Sequence, residues 1–167
     1  RETKDPFDLI QELEDILGLP SSPVTWPIGC GMNFEGIYDL LKNEAILYKA
    51  DKTIKLGDKG VFGPELEDQI SGLNLSSLRD EIELIQGAGN PFDEDAVLAG
   101  KLSPVFFGSA LADFGTVPFL QHFLDMSPAP GPRKTTDGYV DPEDDFFSGF
   151  IFKIQANMNP AHRDRLA

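Results

Sequence analysis

Apolar residues recur at helical spacing at Leu9, Ile10, Leu13, Ile16 and Leu17. Asp5 precedes them as a cap, Pro6 fits the first helical position, and Asp8 sits where a capping-box acid reaches back. Gly18 and Pro20 stop the run. This predicts a helix over 5–17 with one face packed on something larger. Leu78, Ile82 and Ile85 share a second helical face, with Ser77 and Asp80 as its capping pair and Gly87 as its end. Asn90-Pro91-Phe92-Asp93 is a turn, and Asp93 caps a short helix to about Ala99. Val117, Leu120, Phe123 and Leu124 form a last helical stripe, with Thr116 as the expected cap and Pro128 beyond it.

Strand patterns are shorter. Val24 to Ile28 reads as a strand in which Pro27 removes a ladder donor, so an edge or bulged strand is expected. Gly29-Cys30-Gly31 turns the chain, Glu35 to Leu41 is a short segment, and Ala45 to Lys49 is another strand. Residues 51–64 mix Lys, Asp and Gly as hairpin tips and loops do. Val105 to Phe107 is apolar without alternation, the pattern of a strand buried on both faces. Phe146 to Ile154 alternates and is expected to open a new domain with a strand. Between them, residues 127–145 carry Pro128, Pro130, Pro132, Pro142, Gly131 and Gly138, which predicts an ordered or semi-rigid linker.

The expected fold class is α/β. The helix at 5–17 and the strand–helix unit at 104–126 read as the C-terminal part of a doubly wound domain, residues 1–126, with an α+β insertion at about 20–101. The chain reads as an internal piece of a longer protein. It lacks an initiating Met and ends abruptly at Arg165-Leu166-Ala167.

Charge narrows the partners. The formal net charge is −14 over 167 residues, so the surface as a whole repels nucleic acid, and any RNA contact needs a local basic patch. His162, Arg163 and Arg165, with Lys153 nearby, form the only such cluster. It reads either as local ion pairing with Asp164 or as an RNA contact. Hydrophobic residues at 41% allow a core. No apolar stretch approaches the ~18 residues of a membrane span, so no membrane partner is expected. Cys30 is the single cysteine, which excludes an intrachain disulfide and fits a cytoplasmic setting.

Most candidate chemistry resolves to structure. His122, beside Phe123, reads as a packing or surface residue rather than a catalyst. Asp141, Glu143, Asp144 and Asp145 lack the spacing and glycine of a calcium loop and read as a solvated linker. Trp26 is expected in the core of the insertion rather than as a partner anchor, and Cys30 as a bystander. No catalytic or metal-ligating residue is expected.

One constellation remains. Ser103-Pro104-Val105-Phe106-Phe107-Gly108-Ser109-Ala110-Leu111 is a short apolar run followed by a turn of small residues, with Gly115-Thr116-Val117-Pro118 opening a helix. In open α/β sheets ligands bind beyond the carboxyl ends of strands, at such turns. Small side chains there let a ring approach the main chain, so the Ala110 amide can donate to a base carbonyl while Ser109 holds the loop.

These residues, with Val24-Thr25-Trp26-Pro27-Ile28-Gly29-Cys30-Gly31, Phe34-Glu35-Gly36-Ile37-Tyr38 and Leu98-Ala99-Gly100, resemble the release factor 3 family of translational GTPases, relatives of elongation factor G. The resemblance runs from Asp5 to Ala167. Its discriminating part is Gly149-Phe150-Ile151-Phe152-Lys153-Ile154-Gln155-Ala156-Asn157-Met158-Asn159-Pro160 with His162-Arg163-Asp164-Arg165, whereas residues 51–75 carry none of the motifs.

The resemblance implies that the chain is the C-terminal part of a P-loop GTPase domain with its insertion, a linker at 127–145, and the start of a translation-factor β-barrel at 146–167. It implies that Ser109, Ala110 and Leu111 are the last guanine-contacting motif, with the Ala110 amide facing O6. GTP or GDP is then the cofactor. The phosphate loop and the Mg²⁺ ligands lie upstream, outside this sequence, so the piece alone is expected not to hydrolyse GTP. The implied partners are the ribosome and the codon-reading release factors, with ribosomal RNA at Arg163 and Arg165. Two alternatives stand: an elongation factor G-like or ribosome-protection GTPase, and a free-standing acidic protein-interaction module. In elongation factor G the equivalent insertion is associated with the ribosomal stalk, and the resemblance implies similar docking here.

Overall fold

A computed structural model describes the backbone of residues 4–156 and 165–166, and side chains through residue 154. Contacts divide the chain into Arg1–Ser127 and Pro128–Ala167.

The first unit opens with α1, Pro6–Leu17, capped as its sequence predicts: the Asp5 side chain accepts from the Phe7 amide, and Gly18 closes the helix at φ 65°. The Glu14 carboxylate accepts from the Ser21 amide at 2.6 Å, which ties α1 to the next strand.

That strand, β1 (Ser21–Pro23), pairs in parallel with β6 (Ser103–Val105), in register Ser21↔Ser103 and Pro23↔Val105. The strand expected over 24–28 is found as the next strand of the chain, and Ser21–Pro23, ahead of the expected range, is a further one. Ser21–Pro23 joins the parallel pair, and β2 (Thr25–Ile28) turns into a separate sheet.

The second sheet is an antiparallel meander of β2, β3 (Gly36–Asp39), β4 (Glu44–Leu47) and β5 (Lys52–Lys55), in that order. Pro27 lies on β2, an edge strand as its missing donor requires. One face of the meander carries Trp26, Ile28, Tyr38, Ala45 and Leu47. These pack on Leu75, Leu78, Ile82 and Ile85 of α2 (Gly72–Ala88), with Val61, Leu66 and Ile70 from the connection.

Trp26 is fully buried, and its indole N–H donates to Glu81 Oε2 at 2.6 Å. Burial pushes the Glu81 carboxyl above its ordinary range; the Trp26 bond draws it down, and Asp5 and Asp80 push it up again. Phe7 packs tilted and Phe107 edge-on against the same indole, so α1 and the end of β6 share this core.

α2 begins a turn and a half before Ser77. Ser71 is the cap, accepting from the Asn74 amide, while the Ser71 amide donates to Glu35. The buried Asn74 side chain donates to the Asn33 carbonyl, and this tertiary anchor extends the helix beyond its apolar stripe. The helix also runs past Gly87 to Ala88. α3 (Glu94–Leu98) is capped by Asp93 as its sequence predicts.

α4 (Thr116–Met126) follows β6. Several large apolar side chains of α1 and α4 are exposed, among them Ile16 at 72% and Leu124 at 74%.

In the second unit, the expected linker contains a hairpin of β7 (Arg133–Thr135) and β8 (Gly138–Val140), closed by Thr135 Oγ1 donating to the Gly138 carbonyl. Residues 146–154 form no strand, contrary to their alternation, and Phe147 is 99% exposed. Alternation shapes a strand only where a ladder partner is supplied. Pairing resumes at β9 (Gln155–Ala156), against β10 (Arg165–Leu166).

Candidate functional site

The turn after β6 is built as a closed loop. β6 stops at Val105 because its partner β1 ends at Pro23. The expected strand residues Phe106 and Phe107 lie past the ladder and are half-buried. The Phe107 amide donates instead to Thr25 Oγ1 at 2.9 Å, which anchors the exit of the strand to β2.

A few residues on, the chain returns to the same place. Ser109 and Phe114 exchange both backbone hydrogen bonds, at 2.9 and 3.1 Å. Ser109 Oγ accepts from the Ala112 amide at 3.1 Å, the loop-holding role its position suggests. Ala110 and Leu111 stand at the exposed apex, Leu111 completely. Among the described residues the Ala110 amide has no acceptor. Ser109, Ala110 and Leu111 thus lie in one exposed loop in which, among the described residues, the Leu111 and Asp113 amides are without acceptors as well as that of Ala110.

Gly115 closes the loop and caps α4 at φ 78°, displacing Thr116 from the expected cap position. A Cβ there would sit 2.4 Å from the Phe107 carbonyl oxygen and 2.7 Å from Gly108 Cα, so only glycine permits the two ends to meet.

The Gly115 amide donates to Tyr48 Oη at 2.7 Å, across from the end of β4. Phe114 packs on Phe34 at 4.3 Å between ring centres and on Tyr48 at 5.8 Å. Burial pushes the Tyr48 hydroxyl above its ordinary range; the Gly115 bond lowers it and Asp113 raises it. An open apolar depression of about 400 Å³ adjoins the loop, bounded by Leu13, Leu17, Phe106, Ala110 and Phe119.

Two further contacts escaped sequence reasoning. His122, on α4, is buried, with Nε2 2.6 Å from Asp39 Oδ2. Its packing role was legible; its partner, 83 positions away, was not. Tyr48 carried no signal at all, since a tyrosine at a strand end reads as ordinary sheet chemistry.

The other sequence candidates lie elsewhere. Trp26 is a core residue, and Cys30 is exposed and free. Asp141, Glu143 and Asp144 are exposed and bond to one another's backbone in a turn. Lys153 is exposed, His162 and Arg163 lie outside the described residues, and only the backbone of Arg165 is described. Among the described residues no three His, Cys, Asp or Glu side chains gather to hold a metal ion, and no helix is long and apolar enough to cross a membrane.

No protein-family model matches the chain. Curated relatives do. Peptide chain release factor 3 of Streptococcus pneumoniae strain Hungary19A-6 is 51% identical over 170 aligned residues, covering all of this chain and 32% of the relative. The same protein from strain CGSP14 aligns with the same identity and coverage. The resemblance to peptide chain release factor 3 holds along the full chain. The chain spans about a third of the length of those release factor 3 relatives. A crystal structure of a Thermus thermophilus protein is 22% identical, with a TM-score of 0.47, over 78% of this chain and 22% of that one.

Proposed function

We propose that this chain is a segment of a GTP-dependent translation termination factor and that the loop 108–115 is its contact to the guanine base. The reading rests on the 51% identity to release factor 3 along all of this chain and 32% of that protein. The loop supplies the chemistry. Ala110 presents an unpaired amide at an apex of small residues beyond a parallel strand, where a purine edge meets the main chain without obstruction.

In this reading the four-stranded meander with α2 is an insertion in the nucleotide-binding domain, and 146–167 begins a β-barrel. The intact factor hydrolyses GTP and removes codon-reading release factors from the ribosome in the cytoplasm. Phosphoryl transfer requires a phosphate cradle and Mg²⁺. The loop fits the base and offers neither, so residues 1–167 alone hydrolyse no GTP. Arg163 and Arg165 are the proposed contacts to ribosomal RNA. The identity to release factor 3 favours this reading over an elongation factor G-like one.

The test is competition in the intact factor. Fluorescent GDP is displaced by unlabelled GDP or by 2-aminopurine riboside diphosphate, which lacks O6. The analogue loses the O6 acceptor, leaving its donor unpaired, and the N1 proton with it, and is expected to bind about tenfold or more weakly. Equal competition by the two overturns the assignment of the loop.

A further inference from the structure

The loop does not hold itself alone. Its C-terminal end is fastened to the inserted sheet by three aromatic side chains and one hydrogen bond. Tyr48 follows β4 directly, and its own amide donates to the Glu35 carbonyl, so its position is set by the meander. Tyr48 Oη then takes the Gly115 amide at 2.7 Å. Phe114, the residue that closes the loop on Ser109, is packed against Phe34 and Tyr48.

We infer that Tyr48 is a positioning residue for base recognition, clamping the loop 108–115 from the insertion so that the Ala110 amide is held ready for a purine carbonyl. This deepens the guanine-loop reading and rests on it.

The clamp supplies order before binding. Ala110 and Leu111 are exposed, and among the described residues no side chain from outside the loop hydrogen-bonds to either. Ser109 and Ala112 stiffen it locally. Its direction relative to β6 depends on Gly115, which has a φ of 78°, lies close to Phe107 and Gly108, and gives its amide to Tyr48, the one hydrogen bond between this end of the loop and the insertion among the described residues. A loop already ordered loses less entropy when the ligand binds, so the clamp acts on affinity without touching the nucleotide. The inserted sheet then takes part in nucleotide retention.

The test uses the intact factor and fluorescent GDP, chased with unlabelled GDP. Tyr48→Phe removes the acceptor oxygen and keeps the ring. It is expected to speed GDP release by about two- to tenfold, the range of one lost hydrogen bond. The decisive readout is selectivity. 2-Aminopurine riboside diphosphate lacks O6 and gains nothing from a well-placed amide, so its release is expected to change little, and the ratio between the nucleotides shrinks. Phe34→Leu loosens the packing without touching the hydrogen bond and is expected to shift the ratio in the same direction by less. Ala110→Pro, which deletes the amide donor, separates the two ideas. If Ala110→Pro weakens GDP binding while Tyr48→Phe and Phe34→Leu leave the ratio unchanged, the clamp is overturned and the loop assignment survives. If Ala110→Pro leaves GDP binding unchanged, both fall.

Discussion

His122 Nε2 lies 2.6 Å from Asp39 Oδ2, and the two side chains are 5% and 1% exposed. The bond joins α4, which follows the candidate loop, to the end of β3 in the inserted sheet. Asp39 also accepts from the Lys42 amide at 2.9 Å, so its carboxylate is held on both oxygens. Removing one member leaves a buried polar group without its partner. Asp39→Ala or His122→Ala is expected to cost about 3 kcal/mol in denaturant unfolding. The double variant is expected to cost clearly less than the sum of the two, and an additive cycle would show that the pair is not coupled.

Gly115 is irreplaceable for two independent reasons, its positive φ and the 2.4 Å approach of a Cβ to the Phe107 oxygen. Gly115→Ala is expected to destabilise the first unit by about 3 kcal/mol. In the intact factor it is expected to weaken GDP binding as well. A melting temperature equal to wild type contradicts the loop geometry.

Exposure separates Leu111 from the core. Leu111→Ala, at a fully exposed apex, is expected to change stability by less than about 0.5 kcal/mol. Ile82→Ala, at 1% exposure beneath the meander, is expected to cost about 2–5 kcal/mol. Denaturation midpoints of the two variants check the pair.

Glu81 gives a dependence on pH. Its carboxyl titrates above the ordinary value of 4.5, chiefly because burial disfavours the charge. The folded state therefore keeps this proton where the unfolded chain has lost it. Its contribution is full below 4.5 and is lost as pH rises through the raised folded value. Wild type is expected to lose stability relative to Glu81→Gln as pH climbs from 4.5 through the raised value of the folded state. Parallel stability curves for the two proteins contradict this.

The local signals were legible in the sequence. Asp5-Pro6 and Gly18 bound α1, Asp93 starts α3, and Pro27 marks an edge strand. Ser109 and Ala110 were legible as a turn of small residues, and the structure brings them to one apex. What escaped is long-range. Ser71 became the cap of α2 because Glu35 and Asn33 hold the first turn from 36 and 41 positions away. Ser21–Pro23 is a strand only because β6 lies beside it. Phe146 to Ile154 carries the alternation of a strand with no partner to pair with among the described residues. Tyr48 and Asp39 matter through partners that no window along the chain contains.

Everything turns on where the Ala110 amide points when nucleotide is bound. A crystal structure of the intact factor with GDP measures this directly. The expected result places Ala110 N within about 3.2 Å of guanine O6, with the Tyr48–Gly115 bond intact. A base seated against another part of the protein, with the loop 108–115 empty, contradicts it.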